Sequence, residues 1–72
     1  MDLIDVAVFD FPNDASILES ILLAENIPFF LNRQSNSYVY PGSGGILSVA
    51  ENDRDIVVKI IIDAGFEKYL IE

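Results

Sequence analysis

Runs of β-branched and aromatic residues alternate with runs of helical period along this chain, and their order constrains its fold more than any other feature. Leu3-Ile4-Asp5-Val6-Ala7-Val8-Phe9 is apolar and β-branched with one charge, which predicts a central strand. Phe11-Pro12-Asn13-Asp14 then punctuates the sequence. Asn13 or Asp14 is the expected N-cap of a helix reaching Glu25, with Ile17, Leu18, Ile21 and Leu22 as its apolar stripe. Asn26 tolerates the left-handed conformation of a helix C-terminus, and Ile27-Pro28 forces extended backbone on the residues after it. Phe29-Phe30-Leu31 reads as a second strand, placed at a sheet edge because Pro28 cannot donate to a ladder. From Asn32 to Gly45 the composition turns to Asn, Gln, Ser, Tyr and Gly, with Pro41-Gly42 as a turn signal, so this is the longest irregular segment. Ile46 to Ala50 predicts a third strand, and Asn52, Asp53 and Asp55 open a second helix. In that helix Ile56, Val57, Ile60, Ile61 and Ala64 recur at helical spacing, and Gly65 stops it. Phe66 to Ile71 alternates like a short final strand.

The resulting order, β-α-β-β-α-β, predicts an α+β fold of the ferredoxin-like kind. Two helices cover one face of a four-stranded, mainly antiparallel sheet, with strands one and three in the middle. Strict alternation turns Ile4, Val6, Val8, Leu47 and Val49 toward the helices. Leu3, Asp5, Ala7, Phe9, Ile46, Ser48 and Ala50 then point away, giving a second face of mixed character. Two helices shield only one face, so Leu3, Phe9, Phe30 and Ile46 would leave apolar area in water, and a homo-oligomer formed through that face or an edge is expected.

Composition narrows the function classes. The 72 residues make one domain, residues 1–72, since a core of this size buries only about 60% of the surface of the unfolded chain. With 51% hydrophobic residues the chain has enough apolar material to fold. It has no Cys and no His, which removes disulfides, thiolate and imidazole metal ligands, thiol nucleophiles and a near-neutral base. A net charge of -8, from 12 acidic and 4 basic residues, repels phosphate backbones and anionic lipid, so neither nucleic acid nor membrane is an expected partner. No apolar run approaches the roughly 18 residues of a membrane span. Met1-Asp2-Leu3-Ile4-Asp5 lacks the basic start of a targeting peptide, and the expected compartment is the cytoplasm. The acidic pairs Asp2/Asp5, Glu51/Asp53 and Asp53/Asp55 fit solvated caps better than the carboxylates of a catalytic cleft, and none has the spacing of a calcium loop. An acylphosphatase-like reaction would need an anion-binding Arg in the first loop, where the chain has Asp10-Phe11-Pro12-Asn13. No catalytic residue, metal site or cofactor is expected.

The remaining candidates cluster in the 32–45 loop. Gly42-Ser43-Gly44-Gly45 leads into a strand and carries no Lys, so it reads as a turn rather than a phosphate cradle. Gly44 and Gly45 then permit special backbone angles or a bulge. Tyr38 and Tyr40 flank Val39, and either offer contact area to a partner or cover the domain's own core. Arg33 either meets an anionic ligand or neutralises neighbouring carboxylates. Arg33, Tyr38, Tyr40, Gly44 and Gly45 are therefore the candidates for partner or ligand contact.

A strand ending in Phe9, a helix opened by Pro12-Asn13, and Glu25-Asn26-Ile27-Pro28 leading into an aromatic strand form a pattern. It continues through Gly44-Gly45-Ile46-Leu47-Ser48-Val49, the acids Glu51 and Asp53, and the second apolar helix. From Val6 to Gly65 the chain resembles the small bacterial domains described as prokaryotic signal-transducing proteins, which are similar in fold to PII regulators. The resemblance implies a ferredoxin-like fold and a regulatory or interaction role. PII proteins touch partners with a long loop between strands two and three, and the 32–45 loop holds the equivalent place in the order. The chain lacks the basic cluster with which PII proteins hold nucleotide phosphates, so nucleotide binding does not carry over.

The function expected from the sequence is that of a non-enzymatic regulatory or protein-interaction module, acting through the 32–45 loop and a sheet face or edge. The alternative is a regulatory domain that senses a small metabolite at a subunit interface near Arg33 and the glycines.

Overall fold

A computed structural model describes residues 2–32 and 44–71. Strand β1 (Leu3–Phe9) leads to helix α1 (Pro12–Ala24), strand β2 (Phe29–Asn32), strand β3 (Gly45–Ala50) and helix α2 (Arg54–Asp63). A 3₁₀ turn over Glu51–Asp53 introduces α2, and another over Glu67–Tyr69 comes after it. The strands form an antiparallel sheet in the order β1-β3-β2, an α+β arrangement compatible with a ferredoxin-like fold.

Local chemistry explains the helix ends. Helix α1 starts earlier than Asn13 or Asp14 would have it, with Phe11 as N-cap and Pro12 in the first turn. Proline suits that position because its missing N–H belongs to a donor the helix leaves unpaired and its φ is already helical. Both helices end by the same device. Asn26 takes φ 59° and the next amide, Ile27 N, donates to Leu22 O at 3.0 Å; Gly65 takes φ 85° and Phe66 N donates to Ile61 O at 3.0 Å. A left-handed residue followed by this wide backbone bond satisfies carbonyls that the last turn would otherwise strand.

The sheet departs from strict alternation at one point. The β1–β3 register runs Ile4 to Val49 and Asp5 to Ser48, then shifts so that Ala7 meets Leu47 and Phe9 meets Gly45. Val6 is the extra residue of a β-bulge, and such an insertion exchanges the faces of everything beyond it. Ala7 and Phe9 therefore turn toward the helices and are wholly buried, while Val8 takes the outward place opposite Ile46. The outward orientation that alternation predicts for Phe9 and Ala7 is thus reversed, and so is the inward one for Val8.

The expected fourth strand over Phe66 to Ile71 is replaced by the 3₁₀ turn and one antiparallel bridge, Ala7 to Leu70. The cause is side-chain spacing. In a strand, Phe66 and Tyr69 would point to opposite faces, whereas a 3₁₀ turn brings residues three apart to one side. Both rings reach Phe9 in this way, with centroids 6.0 Å from it for Phe66 and 5.0 Å for Tyr69. The tail then closes on the bulge, where Ile71 N donates to Val6 O at 3.0 Å.

The core lies between sheet and helices: Val6, Ala7, Phe9, Leu47 and Val49 meet Ala15, Leu18 and Leu22 of α1, Val57 and Ile61 of α2, and Tyr69. The helices carry more apolar residues than this core takes up. Ile17 of α1 is 52% exposed and Ile56 of α2 is 54% exposed, although both fall in the predicted stripes. Among the described residues no helix is long and apolar enough to cross a membrane.

Candidate functional site

The face of the sheet opposite the helices is the surface that the strand register builds most clearly. Ile46, Ser48 and Ala50 of β3 form its central row, paired with Val8, Asp5 and Leu3 of β1. On the other side Phe30 lies opposite Ser48 and Asn32 opposite Ile46. Residues directly opposite in an antiparallel pair share a face, so these eight side chains make one surface. Leu3 and Phe30 are each 55% exposed, and Val8 and Ile46 are half-buried.

A polar pair sits in the middle of this apolar frame. Ser48 Oγ donates to Asp5 Oδ1 at 2.6 Å, and Ser48 itself is buried. The bond satisfies a hydroxyl that neighbouring strands shield from water, a cross-strand role.

Beside this face runs the β2 edge. Among the described strands β3 is the sheet neighbour of β2, while the far side of β1 is closed by the Leu70 bridge and the Ile71 amide. Pro28 precedes the edge strand, as the sequence predicts, and Phe29 and Leu31 turn inward while Phe30 turns outward. Among the described residues, the outer side of β2 is therefore the exposed row of strand donors and acceptors.

The four residues expected on an oligomer face divide. Leu3, Phe30 and Ile46 are on the open face. Phe9 is not: at 0% exposure it is at the centre of an aromatic cluster with Phe66 and Tyr69, and the bulge at Val6 is what put it there. Val8, which alternation placed inside, takes its place on the open face. The bulge has no signature in the run of β-branched residues, so sequence reasoning had nothing by which to find it.

Among the loop candidates, Arg33, Tyr38 and Tyr40 lie outside the described residues. Gly44 and Gly45 are buried, and each has a structural task. A Cβ on Gly44 would come within 2.6 Å of the Phe11 carbonyl oxygen, and its amide donates to Phe9 O at 2.9 Å. Gly45 takes φ +118°, a backbone angle suited to glycine, with the Leu31 side chain 3.2 Å from where a Cβ would be. The pair thus lets β3 start close beneath the β1–α1 connection. Neither presents an open backbone cradle.

On the helix side, the Tyr69 hydroxyl donates to Asp14 Oδ2 at 2.6 Å and ties the tail to the first turn of α1. That bond, burial, and the nearby charges of Asp14 and Asp10 push the Tyr69 hydroxyl up to about 12 from its ordinary 10. Lys68 Nζ lies 5.1 Å from the centre of the same ring. Asp2, Glu51 and Asp53 line a shallow cleft of about 380 Å³ at the end of β3. Among the described residues no group of three or more carboxylates is placed to hold a metal. Comparison of the chain with protein-family models, with curated proteins and with solved structures finds no match in any of the three.

Proposed function

We propose that this chain is a non-enzymatic interaction module of regulatory type, which associates with a second copy through its open sheet face and β2 edge. The observation that carries the reading is the exposure of Leu3 and Phe30, each 55%, on a face that neither helix covers. Large apolar side chains beside an unpaired strand edge favour association, because pairing removes apolar area from water and satisfies the edge's backbone groups together. The fold belongs, on this reading, to the ferredoxin-like arrangement, with the Leu70 segment in the fourth strand's place. The antiparallel bridge from Leu70 to Ala7 on the outer side of β1 supports that assignment.

The test is molar mass by light scattering over a concentration series, on the native chain and on Phe30→Asp. A dimer or larger species that dissociates in the variant is the expected result. A monomer at every concentration removes the self-association. Phe9→Asp cannot serve here, because it would place a charge inside the core.

A further inference from the structure

Each helix contributes one half-buried isoleucine to a cleft on the helix side of the molecule. Ile21 of α1 and Ile60 of α2 line a cleft of about 280 Å³ between the helices, together with Glu25, Asp63 and Ala64. Ile17 precedes Ile21 by four residues and Ile56 precedes Ile60 by four, so helical spacing sets each one turn along its helix on the same side as the isoleucine that lines the cleft. These are the two isoleucines that the predicted stripes contain and the sheet does not cover, 52% and 54% exposed.

We propose that this inter-helix groove binds an amphipathic helical segment of a partner protein, aliphatic on one face and rich in Lys or Arg beside it. The occupant's conformation follows from the walls. Both are helices whose backbone groups are already paired along their length, so the groove offers no ladder to an extended strand, and a segment lying in it must satisfy its own backbone. The aliphatic face follows from the isoleucines, which recur at a spacing that ridges of a third helix can enter.

The charge follows from the rim. Both charged residues lining the cleft, Glu25 and Asp63, are acidic. Helix α1 has no Lys or Arg, and on α2 Arg54 is 3.7 Å from Asp55, which leaves Lys59 as the one further cation on the helix pair. A second copy of a chain with net charge -8 would bring like charge to this rim, and an anionic lipid surface would do the same. This surface lies across the sheet from the one proposed for self-association, so either can fail without the other.

The probe is an amide-capped peptide of Leu and Lys with its leucines at helical spacing, labelled for fluorescence anisotropy and titrated with the whole chain. Three variants accompany it: Ile17→Gln with Ile56→Gln, Glu25→Gln with Asp63→Asn, and Leu3→Gln with Phe30→Gln. The substituted isoleucines are half exposed, so the fold should persist, which circular dichroism checks. The expected result is saturable binding, weakened roughly tenfold or more by the isoleucine pair and less by the acid pair, with the sheet-face pair unchanged. Binding equal to that of a same-composition peptide with scrambled leucines overturns the proposal, because it would reflect charge alone. It is likewise overturned by no binding, by loss in the sheet-face variant, or by an isoleucine pair that changes nothing.

Discussion

The two faces of the sheet use similar residues to opposite ends. On the helix side Phe9 is wholly buried against Phe66 and Tyr69, whereas on the open side Phe30 has no such ring against it among the described residues and is 55% exposed. Each face also carries a side-chain hydrogen bond of 2.6 Å: Tyr69 to Asp14 on the covered side, Ser48 to Asp5 on the open side. The covered bond joins segments at opposite ends of the chain, from the tail to the first helix. The open one joins adjacent strands already held by their ladder. Equal geometry thus has unequal consequences: the covered bond ties distant segments together, and the open one adds to a strand pairing already made.

Substitutions should separate the two faces by size of effect. Phe9→Ala is expected to be the most damaging, at about 3–5 kcal/mol, because it removes a buried ring and leaves a cavity among Phe66 and Tyr69. Urea unfolding measures it, and a loss below about 1 kcal/mol would mean the aromatic cluster is not the core's centre. Gly44→Ala comes next at about 1–3 kcal/mol, since the new methyl meets the Phe11 backbone at 2.6 Å and neither strand start nor helix N-terminus can yield cheaply.

Alkaline pH should weaken only the covered side. Tyr69 is held neutral to about 12 in the folded chain against an ordinary value of 10, mainly by its bond to Asp14. Its contribution is therefore complete below pH 10 and declines as pH rises from 10 toward 12. The urea midpoint of the native chain should fall across that window more steeply than that of Tyr69→Phe, and parallel profiles would dissociate the effect from this hydroxyl. Phe30→Asp should have the smallest effect on monomer stability, within about 0.5 kcal/mol, because its ring is already more than half in water. A large destabilisation there would erase the distinction between the faces.

Much of this architecture was legible locally. Leu3 to Phe9 is the strand its β-branched run predicts, Pro28 precedes the strand that is outermost among the described ones, and Asn26 and Gly65 end the helices with positive φ. Each of these follows from a residue's own conformational limits or those of its immediate neighbours, which no distant contact has to supply. The candidate face was legible in part: Leu3, Phe30 and Ile46 lie where alternation places them, while Phe9 and Val8 exchange places. The helix stripes were legible in period but not in breadth, since how much of a stripe is covered depends on the sheet beneath it.

What the sequence determined by itself was therefore the order of the first five elements, the left-handed residues that end both helices and, among the described strands, the outer place of β2, all set by backbone chemistry within a few residues. The tertiary structure alone decided which way Phe9 points, whether Phe66 to Ile71 forms a strand, and which isoleucines remain in water. A bulge at Val6 depends on how β3 aligns across from β1, and the tail's turn depends on two rings reaching a third near the start of the chain. Those outcomes are settled by packing between distant segments, where a gain in buried aromatic area outweighs the simple alternation of a strand.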